Sequence, residues 1–435
     1  MEKKIIKFID DMEERIISYR RDFHKYPEVG WTEFRTASKI ARRLIELGFE
    51  VKLGREVLKD EERMGLPSEE ELANQYERAL NQGADEELII RLEGGFTGVM
   101  GILELGDGPC IGMRFDIDAL KVIEDSGEDH LPHRLKFSSE NEGIMHACGH
   151  DCHAAIGLGV AETLSSIKNE IAGVGRIKLI FQPAEEGVRG AKAMVGAGIL
   201  DDVDYIIGGH IGLKPSKTLV CGTNGFMATT KFDVSFKGKG AHAGGEPNEG
   251  KNSMLAACTA VLNLNAIPRH MAGASRINVG VLSSGTDRNV IPEKSFMKIE
   301  TRGESTEIND YMREYALRII ETSAKMHSID YEVKYMGEAM CGNCNQVLVE
   351  RVNKVGRNLG CFNNIVDISD DAGGSEDFTF MLNRVQEKGG QGVYFTIGTD
   401  TKGGHHNSKF DVNEQDILNA VKLFVIITLD ILEGN

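Results

Sequence analysis

The chain of 435 residues has no uninterrupted apolar run long enough for a signal peptide or a membrane span. Its beginning, MEKKIIKFIDDMEERI, alternates charged and apolar groups at helical spacing, which predicts a helix of a cytoplasmic protein. The chain also lacks a stripe of basic residues, and its formal net charge is -17. Because affinity for nucleic acids comes largely from clustered Lys and Arg, we expect neither a nucleic acid partner nor a membrane.

Cysteine is scarce, with eight residues in the whole chain. Without a signal peptide, so few cysteines fit buried or metal-binding thiols of a reducing compartment better than a disulfide framework. Cys341 and Cys344 form the motif CGNC, a spacing found in thioredoxin-like redox sites and in half of a zinc ribbon. No second CxxC pair accompanies it, and it does not open a helix after a strand in a thioredoxin-like βαβ context. We therefore favour two thiols without a redox or metal role.

Residues 1–90 predict helices and a polar insertion. The first 50 residues have the periodicity of two amphipathic helices, one that ends near Pro27 and one over residues 33–47. Residues 55–90 have helical composition but little apolar periodicity, so we expect a surface insertion there rather than core. With 41% hydrophobic residues, the chain as a whole can bury a large core in two or three domains.

After residue 90, short apolar runs alternate with helical stretches, a pattern typical of an α/β fold. We expect a mixed, largely parallel sheet that is flanked by helices. Its candidate strands cover residues 110–115, 176–181, 205–208 and 393–397, and a Gly-rich helix at 153–167 separates the first two.

Residues 225–337 have a different order of elements. The apolar patterns predict, in order, a strand at 227–236, a helix at 253–266, strands at 276–282 and 296–301, a helix at 308–326 and a strand at 331–335. This β-α-β-β-α-β order is that of the split ferredoxin-like unit. We therefore expect a separate α+β domain at 225–337, inserted into an α/β domain that is formed by residues 1–224 and 338–435.

Polar clusters follow several of the predicted strands. They are Asp116 with Asp118, Glu185 with Glu186, His210, and His405 with His406. In an open α/β sheet such positions meet at the carboxyl edge of the strands, where these folds bind ligands. The segment HACGHDCH, residues 146–153, lies just before a helix and can join them there. The sequence thus predicts that acids, imidazoles and a thiol from distant segments converge on one crevice.

A mixed set of Cys, His and carboxylate ligands suits Zn or a similar first-row divalent ion better than Ca or Mg. The adjacent Glu185 and Glu186 allow one carboxylate to bind metal while the other accepts a proton from water. Alone, the two Glu are better explained as a solvated turn and His210 as a packed core residue, whereas HACGHDCH fits a helix entry with a buried Cys equally well. Four clusters together favour a metal site. A nucleophilic role for Cys148 is less favoured, because no third group is present to orient it.

Several motifs resemble the aminoacylase and hippurate hydrolase branch of the dinuclear-metal exopeptidases: FHKYPEVGWTE, DIDAL, MHACGHDCHAA, FQPAEEG, GAHAG, NVIPE and GGSEDF. The resemblance runs from about His24 to Asn413. It implies a metal-dependent hydrolase of linear amide bonds in N-acyl amino acids, similar to aminoacylases and carboxypeptidases. It also implies two divalent metal ions as cofactors, Zn or Mn, with Co as a further candidate.

The substrate is inferred from the resemblance of one segment. The insertion at 55–90, followed by GGFTGVMG, is most similar to family members that split p-aminobenzoyl-glutamate into p-aminobenzoate and glutamate. Two alternatives stay open: a general N-acyl amino acid hydrolase of the hippurate type, and a metal-binding protein component without catalysis. The intact Glu185 argues against the second, because a chain that only binds metal has no need for a carboxylate beside its ligands.

By motif, the resemblance also implies site residues. The implied metal ligands are Cys148 as the bridging ligand, His150, Glu186, His210 and His406. The resemblance implies that Glu185 is the general acid/base and that Asp118 contacts the ligands without binding the metal itself.

The terminal motif distinguishes the two adjacent histidines. In this family the metal-binding His lies four residues before a Phe, and because Phe410 follows at that distance, His406 is selected over His405. Ser408 stands where the family usually has Pro, so this loop departs from the family pattern.

The inserted domain resembles the family's lid and dimerisation domain. The implied substrate contacts are His242 in GAHAG, often supplied by the partner protomer, together with Asn289 and Arg302. A guanidinium can hold a planar carboxylate through two hydrogen bonds, so Arg302 would act as a carboxylate clamp, with an exposed strand charge as the alternative. As partners we expect the small-molecule substrate and either a homodimer through this domain or a heteromer with a related B subunit.

Overall fold

The computed structural model describes residues 1–171, 173–370 and 374–434. Its helices are α1 (Glu2–Asp11), α2 (Glu13–Lys25), α3 (Phe34–Glu46), α4 (Glu69–Asn81), α5 (Leu131–Arg134), α6 (His150–Ile167), α7 (Ala191–Gly196), α8 (Ser253–Asn265), α9 (Thr306–Met326), α10 (Gln346–Leu359), α11 (Phe378–Glu387) and α12 (Gln415–Glu433). Its strands are β1 (Glu50–Leu53), β2 (Val99–Glu104), β3 (Cys110–Asp116), β4 (Arg176–Gln182), β5 (Tyr205–Ile211), β6 (Thr218–Thr223), β7 (Ala228–Lys237), β8 (Ser275–Ser284), β9 (Lys294–Gly303), β10 (Asp330–Ala339), β11 (Asn364–Ser369) and β12 (Gln391–Ile397). None of the described helices combines the length and the apolar character that crossing a lipid bilayer requires.

The N-terminal helices cover one side of the larger sheet. The helix predicted to end near Pro27 is divided at Met12, so α1 and α2 follow each other directly. α3 buries an apolar stripe at helical spacing, formed by Phe34, Ala37, Ile40, Ala41 and Leu44. The stripe packs against β1 and β2 and fixes this end of the sheet.

In the described part of the chain, the larger sheet has eight strands in the order β1-β2-β4-β3-β5-β12-β6-β11. The run β4-β3-β5-β12 is parallel throughout, whereas β2 and β6 join it in the antiparallel direction. The predicted mixed, largely parallel sheet is confirmed, and the four strands predicted from apolar runs form this parallel run. Because parallel neighbours end on the same side, the loops that follow them meet at one edge of the sheet.

The buried helix α6 carries the HACGHDCH segment into the molecule. It lies against β3 and is packed between α2 and α12, with nearly all of its residues buried. A Cβ atom at Gly157 would lie 2.5 Å from the Phe181 ring, so glycine permits the close approach of helix and sheet. α6 begins at His150 rather than at residue 153 as predicted, which places that imidazole inside the molecule at the carboxyl edge of the sheet.

The insertion at 55–90 is only partly a surface feature. α4 is largely exposed, and Ala79 is its buried residue. The flanking segments are core, because Val57, Ile89 and Leu92 are buried. The expectation of a surface insertion therefore fits α4 but is wrong for its flanks, whose apolar residues are too irregularly spaced to give a periodic signal.

The smaller sheet has the order β10-β7-β9-β8. Together with α8 and α9 it shows the predicted β-α-β-β-α-β order along the chain. One face of the sheet is covered by the two helices, with an apolar core that includes Phe232, Phe236, Met297 and Ile299. The Glu338 backbone N–H at the end of β10 donates to the Val188 carbonyl at 2.8 Å, so this sheet adjoins the loop that follows β4.

The cysteines are all free thiols. Cys341 Sγ accepts a hydrogen bond from the Ala228 backbone N–H at 3.2 Å, and Cys344 Sγ accepts one from the Tyr394 backbone N–H at 3.3 Å. The sulfur atoms of the CGNC motif thus have separate backbone partners, which agrees with two thiols that share neither a disulfide nor a ligand.

Candidate metal centre

The predicted polar clusters lie together at the carboxyl edge of the parallel run. Asp118 follows β3, Glu185 and Glu186 follow β4, and His210 lies near the end of β5. The loop after β12 adds His405 and His406, and the start of α6 adds Cys148 and His150. The crevice that strand order predicts is therefore formed by these side chains.

The start of α6 sets the position of Cys148. Gly149 has φ +91°, and a Cβ at this position would lie 2.9 Å from Ile211, so the turn into the helix requires glycine. This turn directs Cys148 Sγ to within 3.6 Å of His210 Nε2 and 3.6 Å of His405 Nδ1. The thiol is therefore central to the cluster, as expected for a ligand shared by two ions.

Asp118 orients three residues at once. Its Oδ1 lies 3.2 Å from His150 Nδ1 and accepts the Glu185 backbone N–H at 3.1 Å, while its Oδ2 accepts the Glu186 backbone N–H at 2.9 Å. A His150 ring that is held through Nδ1 presents Nε2 to the centre of the cluster. Asp118 thus lies behind the candidate ligands and fixes their orientation.

The loop that carries Glu185 and Glu186 is strained and tightly held. Ala184 and Val188, on either side of the pair, have φ +53° and +61°, which is unfavourable for residues with a Cβ and most of all for a β-branched one. The Ala184 backbone N–H donates to Glu33 Oε1 at 2.8 Å. Glu33, in the WTE part of the first motif, was not predicted to support the site. Its side chain holds the Glu loop from the side of α3.

The cluster contains buried polar atoms without a hydrogen-bond partner among the described residues. They are His150 Nε2, Glu186 Oε1 and His405 Nε2. Unsatisfied atoms of this kind are costly, and a bound cation satisfies lone pairs of this type. The ligand atoms of Cys148, His150 and Glu186 lie within 4.8 Å of one another, and so do those of Cys148, His210 and His405. The donor set fits two first-row divalent ions that share the Cys148 sulfur.

His153 and His210 differ in the nitrogen atoms they leave free. His153 accepts the Ile211 backbone N–H at Nε2, at 2.9 Å, and contacts Asp116 through Nδ1, so both of its nitrogens have partners. His210 Nδ1 lies 2.7 Å from the Ile211 carbonyl oxygen, to which it donates. The Nε2 lone pair of His210 is then available, so His210 fits the predicted ligand better than its neighbour His153 does.

The acidity of the cluster is shifted by burial and by its neighbours. Burial raises the pKa of the Cys148 thiol to about 12, so a bound cation is needed to hold the thiolate. Burial, together with the charges of Glu376 and Glu186, raises the pKa of Glu185 well above that of an ordinary carboxyl. For Glu186, burial is outweighed by the nearby His406 and His150, and its pKa is lowered. The pKa values of the two adjacent glutamates are therefore shifted in opposite directions, which agrees with the predicted proton acceptor at Glu185 and anionic ligand at Glu186.

Behind Glu185 lies a buried charge network that the sequence analysis did not assign. Arg114 Nη2 donates to Glu376 Oε1 at 2.9 Å and to Asp377 Oδ1 at 3.0 Å. Carboxylate oxygens of Glu185, Glu376 and Asp377 lie within 4.8 Å of one another. The sequence feature that could have indicated this network is the GGSEDF motif, which contains Glu376 and Asp377. Its first residue, Gly373, lies outside the described residues.

The two adjacent histidines take different places. His406 Nε2 lies 3.5 Å from Glu186 Oε1, whereas His405 Nδ1 faces the Cys148 sulfur. The His406 backbone has φ +61°, and its N–H donates to the Ala147 carbonyl at 2.7 Å, so the loop is anchored even with serine at 408. His405, which the terminal motif did not select as a ligand, stands as the second candidate for the terminal ligand.

We expect His406→Ala to lose one of two bound ions and to lower kcat at least ~100-fold, whereas His405→Ala retains both ions. The reason is that the terminal motif selects His406 and that its Nε2 lies 3.5 Å from Oε1 of the proposed ligand Glu186, whereas the grouping of His405 with Cys148 and His210 is what the opposite assignment would rest on. The measurement is metal content by plasma emission together with the hydrolysis rate. Loss of an ion in His405→Ala, with both ions kept in His406→Ala, would reverse the assignment.

The predicted substrate residues lie in the smaller sheet and its loops. His242 and Asn289 are exposed and adjacent, since the Ala243 N–H donates to the Asn289 carbonyl at 3.0 Å. Arg302, on β9, pairs with Glu300 at 2.8 Å. Among the described residues, no hydrogen bond or ion pair joins these three to the metal-ligand cluster. The structure therefore shows no direct polar contact between these three side chains and the cluster.

Known proteins are similar to this chain in sequence and in fold. The A subunit of p-aminobenzoyl-glutamate hydrolase from Escherichia coli (strain K12) is 46% identical over 418 residues, which cover 96% of this chain and 95% of that protein. The indole-3-acetyl-aspartic acid hydrolase of Enterobacter agglomerans is 46% identical over 426 residues, with 98% and 97% covered. The crystal structure of the aminobenzoyl-glutamate utilization protein from Klebsiella pneumoniae is 42% identical, covers 98% of this chain and 97% of its own, and superposes with a TM-score of 0.85.

The family profile described as peptidase family M20/M25/M40 matches residues 112–430, a stretch that includes every predicted metal ligand and the whole smaller sheet. These matches confirm the resemblance carried by the motifs and the prediction of a hydrolase that acts on amide bonds. The chain belongs to peptidase family M20/M25/M40.

Proposed function

We propose that the chain is a metal-dependent amidohydrolase that cleaves p-aminobenzoyl-glutamate into p-aminobenzoate and glutamate. The observation that carries the chemistry is the pair of ligand groups that share the Cys148 sulfur, with the protonatable Glu185 beside them. The substrate is suggested by the relative named for its hydrolysis, which matches nearly the full length of both chains.

The metal centre would be formed by Cys148, His150, Glu186, His210 and His406. Two divalent ions, Zn or Mn with Co as an alternative, would lower the pKa of water and polarise the substrate carbonyl when bound there. His150 Nε2 lies 4.0 Å from Glu185 Oε2, so the proposed base adjoins a proposed ligand. Asp118 keeps both in place through the hydrogen bonds described above.

Glu185 would act on both halves of the reaction. Its carboxylate takes a proton from the attacking water while the water oxygen bonds to the amide carbon. It then gives that proton to the amide nitrogen, so that the C–N bond breaks and the amine of glutamate leaves. A carboxyl whose pKa lies above its ordinary range accepts the first proton more readily, which is the condition that burial and Glu376 create at this position.

The smaller sheet would supply the substrate contacts as a lid that approaches the cluster. His242 Nδ1 accepts the backbone N–H groups of Gly244 at 3.1 Å and Gly245 at 2.9 Å, so Nε2 carries the proton and can donate to the substrate carbonyl. Asn289 lies beside it. Arg302 uses Nε and Nη2 on Glu300, and the rest of its guanidinium can hold the substrate's α-carboxylate.

We also propose a cytoplasmic protein that assembles through residues 225–337 of this lid, as a homodimer or as a heteromer with a related B subunit. Free thiols throughout the chain agree with a reducing compartment. The heteromer is suggested by the name of the Escherichia coli relative, which designates it as one of the subunits of its enzyme. In such an assembly, His242 would reach the substrate from the partner protomer.

Hydrolysis of other N-acyl amino acids of the hippurate type is a second candidate, because the indole-3-acetyl-aspartic acid hydrolase is equally similar. The substrates of the two named relatives share an aromatic acyl group and an acidic amino acid. A protein component that binds metal without catalysis is less favoured, since Glu185 has no part in ligand binding.

The test compares kcat/KM of the metal-reconstituted chain on p-aminobenzoyl-glutamate, indole-3-acetyl-aspartate, hippurate and acetylated amino acids. We expect kcat/KM for p-aminobenzoyl-glutamate to exceed that for the other compounds by at least ~10-fold, which is the effect of about one well-formed contact. A preference for hippurate would support the second candidate. Lack of hydrolysis of every compound, by the chain alone and with a related B subunit, would contradict the proposal.

A further inference from the structure

The smaller sheet has a polar face opposite its two helices. Side chains of a strand alternate between faces, and cross-strand partners share a face. Phe232 and Ile299 point to the helices. Lys231, which pairs with Glu300 across β7 and β9, therefore points to the other face. The same face carries Arg302, two residues beyond Glu300 on β9.

This polar face is turned toward the metal centre at Lys231. The partner of Lys231 on β10 is Gly337, at a bulge in the pairing. A Cβ atom at Gly337 would lie 2.0 Å from the Gly187 carbonyl oxygen, so the bulge is pressed against the loop that carries Glu185 and Glu186. Lys231, as the pairing partner of Gly337, is consequently a cation of this sheet that lies near this loop.

The Lys231 side chain also lacks a partner of its own. It is half-buried and forms no ion pair or hydrogen bond within the described ranges, whereas its neighbour Glu300 is already engaged by Arg302. Burial lowers the pKa of Lys231, while Glu300, Glu185 and Glu186 act in the opposite direction. A half-buried ammonium group without a paired anion is a costly arrangement unless an anion binds.

We propose that Lys231 is the binding residue for the second carboxylate of the substrate, so that the site selects N-acyl derivatives of acidic amino acids. The inference rests on the proposed function, in which Arg302 holds the α-carboxylate. Lys231 and Arg302 are diagonal neighbours on adjacent strands, roughly 7–8 Å apart at the backbone, within reach of long side chains. The two carboxylates of glutamate or aspartate are separated by one short side chain, so both can be held at once.

The test uses two substrates that differ in one charge, p-aminobenzoyl-glutamate and p-aminobenzoyl-glutamine. We expect Lys231→Met to lower kcat/KM for the glutamate compound by about 10- to 100-fold, mainly through KM, and to leave the glutamine compound nearly unchanged. Lys231→Arg should keep most of the preference. Lys298→Met is the matched control, since Lys298 lies on the same face of β9 but is exposed, and it should change neither substrate.

Equal losses on both substrates, or no loss on either, would overturn the assignment of Lys231 while the proposed function stands. Equal hydrolysis of both compounds by the wild-type chain would also overturn the assignment of Lys231 and leave the proposed function in place. A wild-type chain that hydrolyses neither, with both metal ions bound and with a B subunit present, would overturn the proposed function and this inference together. Metal content and thermal unfolding of each variant separate these results from misfolding.

Discussion

Replacement of Glu185 by Gln should lower kcat by about 100- to 10,000-fold while both metal ions stay bound. The amide has the shape of the carboxylate but cannot take a proton from water or return it to the leaving nitrogen. The Glu185 backbone N–H, which is what Asp118 holds, is unchanged by the substitution, so the loop should keep its place. The measurement is the rate of glutamate release at saturating substrate, with metal content determined on the same sample.

Glu186→Gln is the control for this variant. The adjacent residue is a proposed ligand, so its substitution should lower metal content, whereas Glu185→Gln should not. This contrast separates a proton acceptor from a ligand within one strained loop. Full activity of Glu185→Gln with both ions present would show that another group accepts the proton.

Replacement of Cys148 by Ser should have a comparable effect by a different route. The Cys148 sulfur belongs to both ligand groups, so a weaker ligand at this position should reduce the occupancy of both ions rather than one. We expect at most one ion to remain and kcat to fall at least ~100-fold. Metal analysis after dialysis, followed by the hydrolysis assay at added metal, measures both effects.

Cys258→Ser, at an exposed thiol, serves as the control and should retain the metal ions and the activity. Thermal unfolding of the Cys148 variant shows whether it is folded. If folded Cys148→Ser holds two ions and keeps wild-type activity, the sulfur is not the shared ligand.

The fold was predictable where burial leaves a simple signal. β3, β4, β5 and β12 are buried parallel strands, which appear in the sequence as short apolar runs bounded by polar residues. β1 and β11 lie at the sheet edges and are largely half-buried or exposed, so their side chains give no such run. The start of α6 was placed too late because His150, Asp151 and Cys152 look like loop residues, although tertiary contacts bury all three.

The site was predictable to the extent that strand ends and motifs define it. The clusters after β3, β4, β5 and β12 gave Asp118, Glu185, Glu186, His210 and the pair His405 and His406 before any contact was known. The supporting roles of Glu33 and Arg114 were not predicted. Each contacts a segment that is distant in sequence, and only the folded chain shows which segment that is. Lys231 was not singled out from the sequence, because the alternation of side chains along a strand does not tell which face of the sheet meets the metal centre.

The proposed two-metal hydrolysis is tested most directly by a titration of Zn or Mn into the chelated, metal-free chain, with glutamate release from p-aminobenzoyl-glutamate followed at each step. We expect no activity without metal, a rise with added ion, and saturation at two ions per chain. Full activity of the metal-free chain, or release that does not depend on the bound ions, would contradict it.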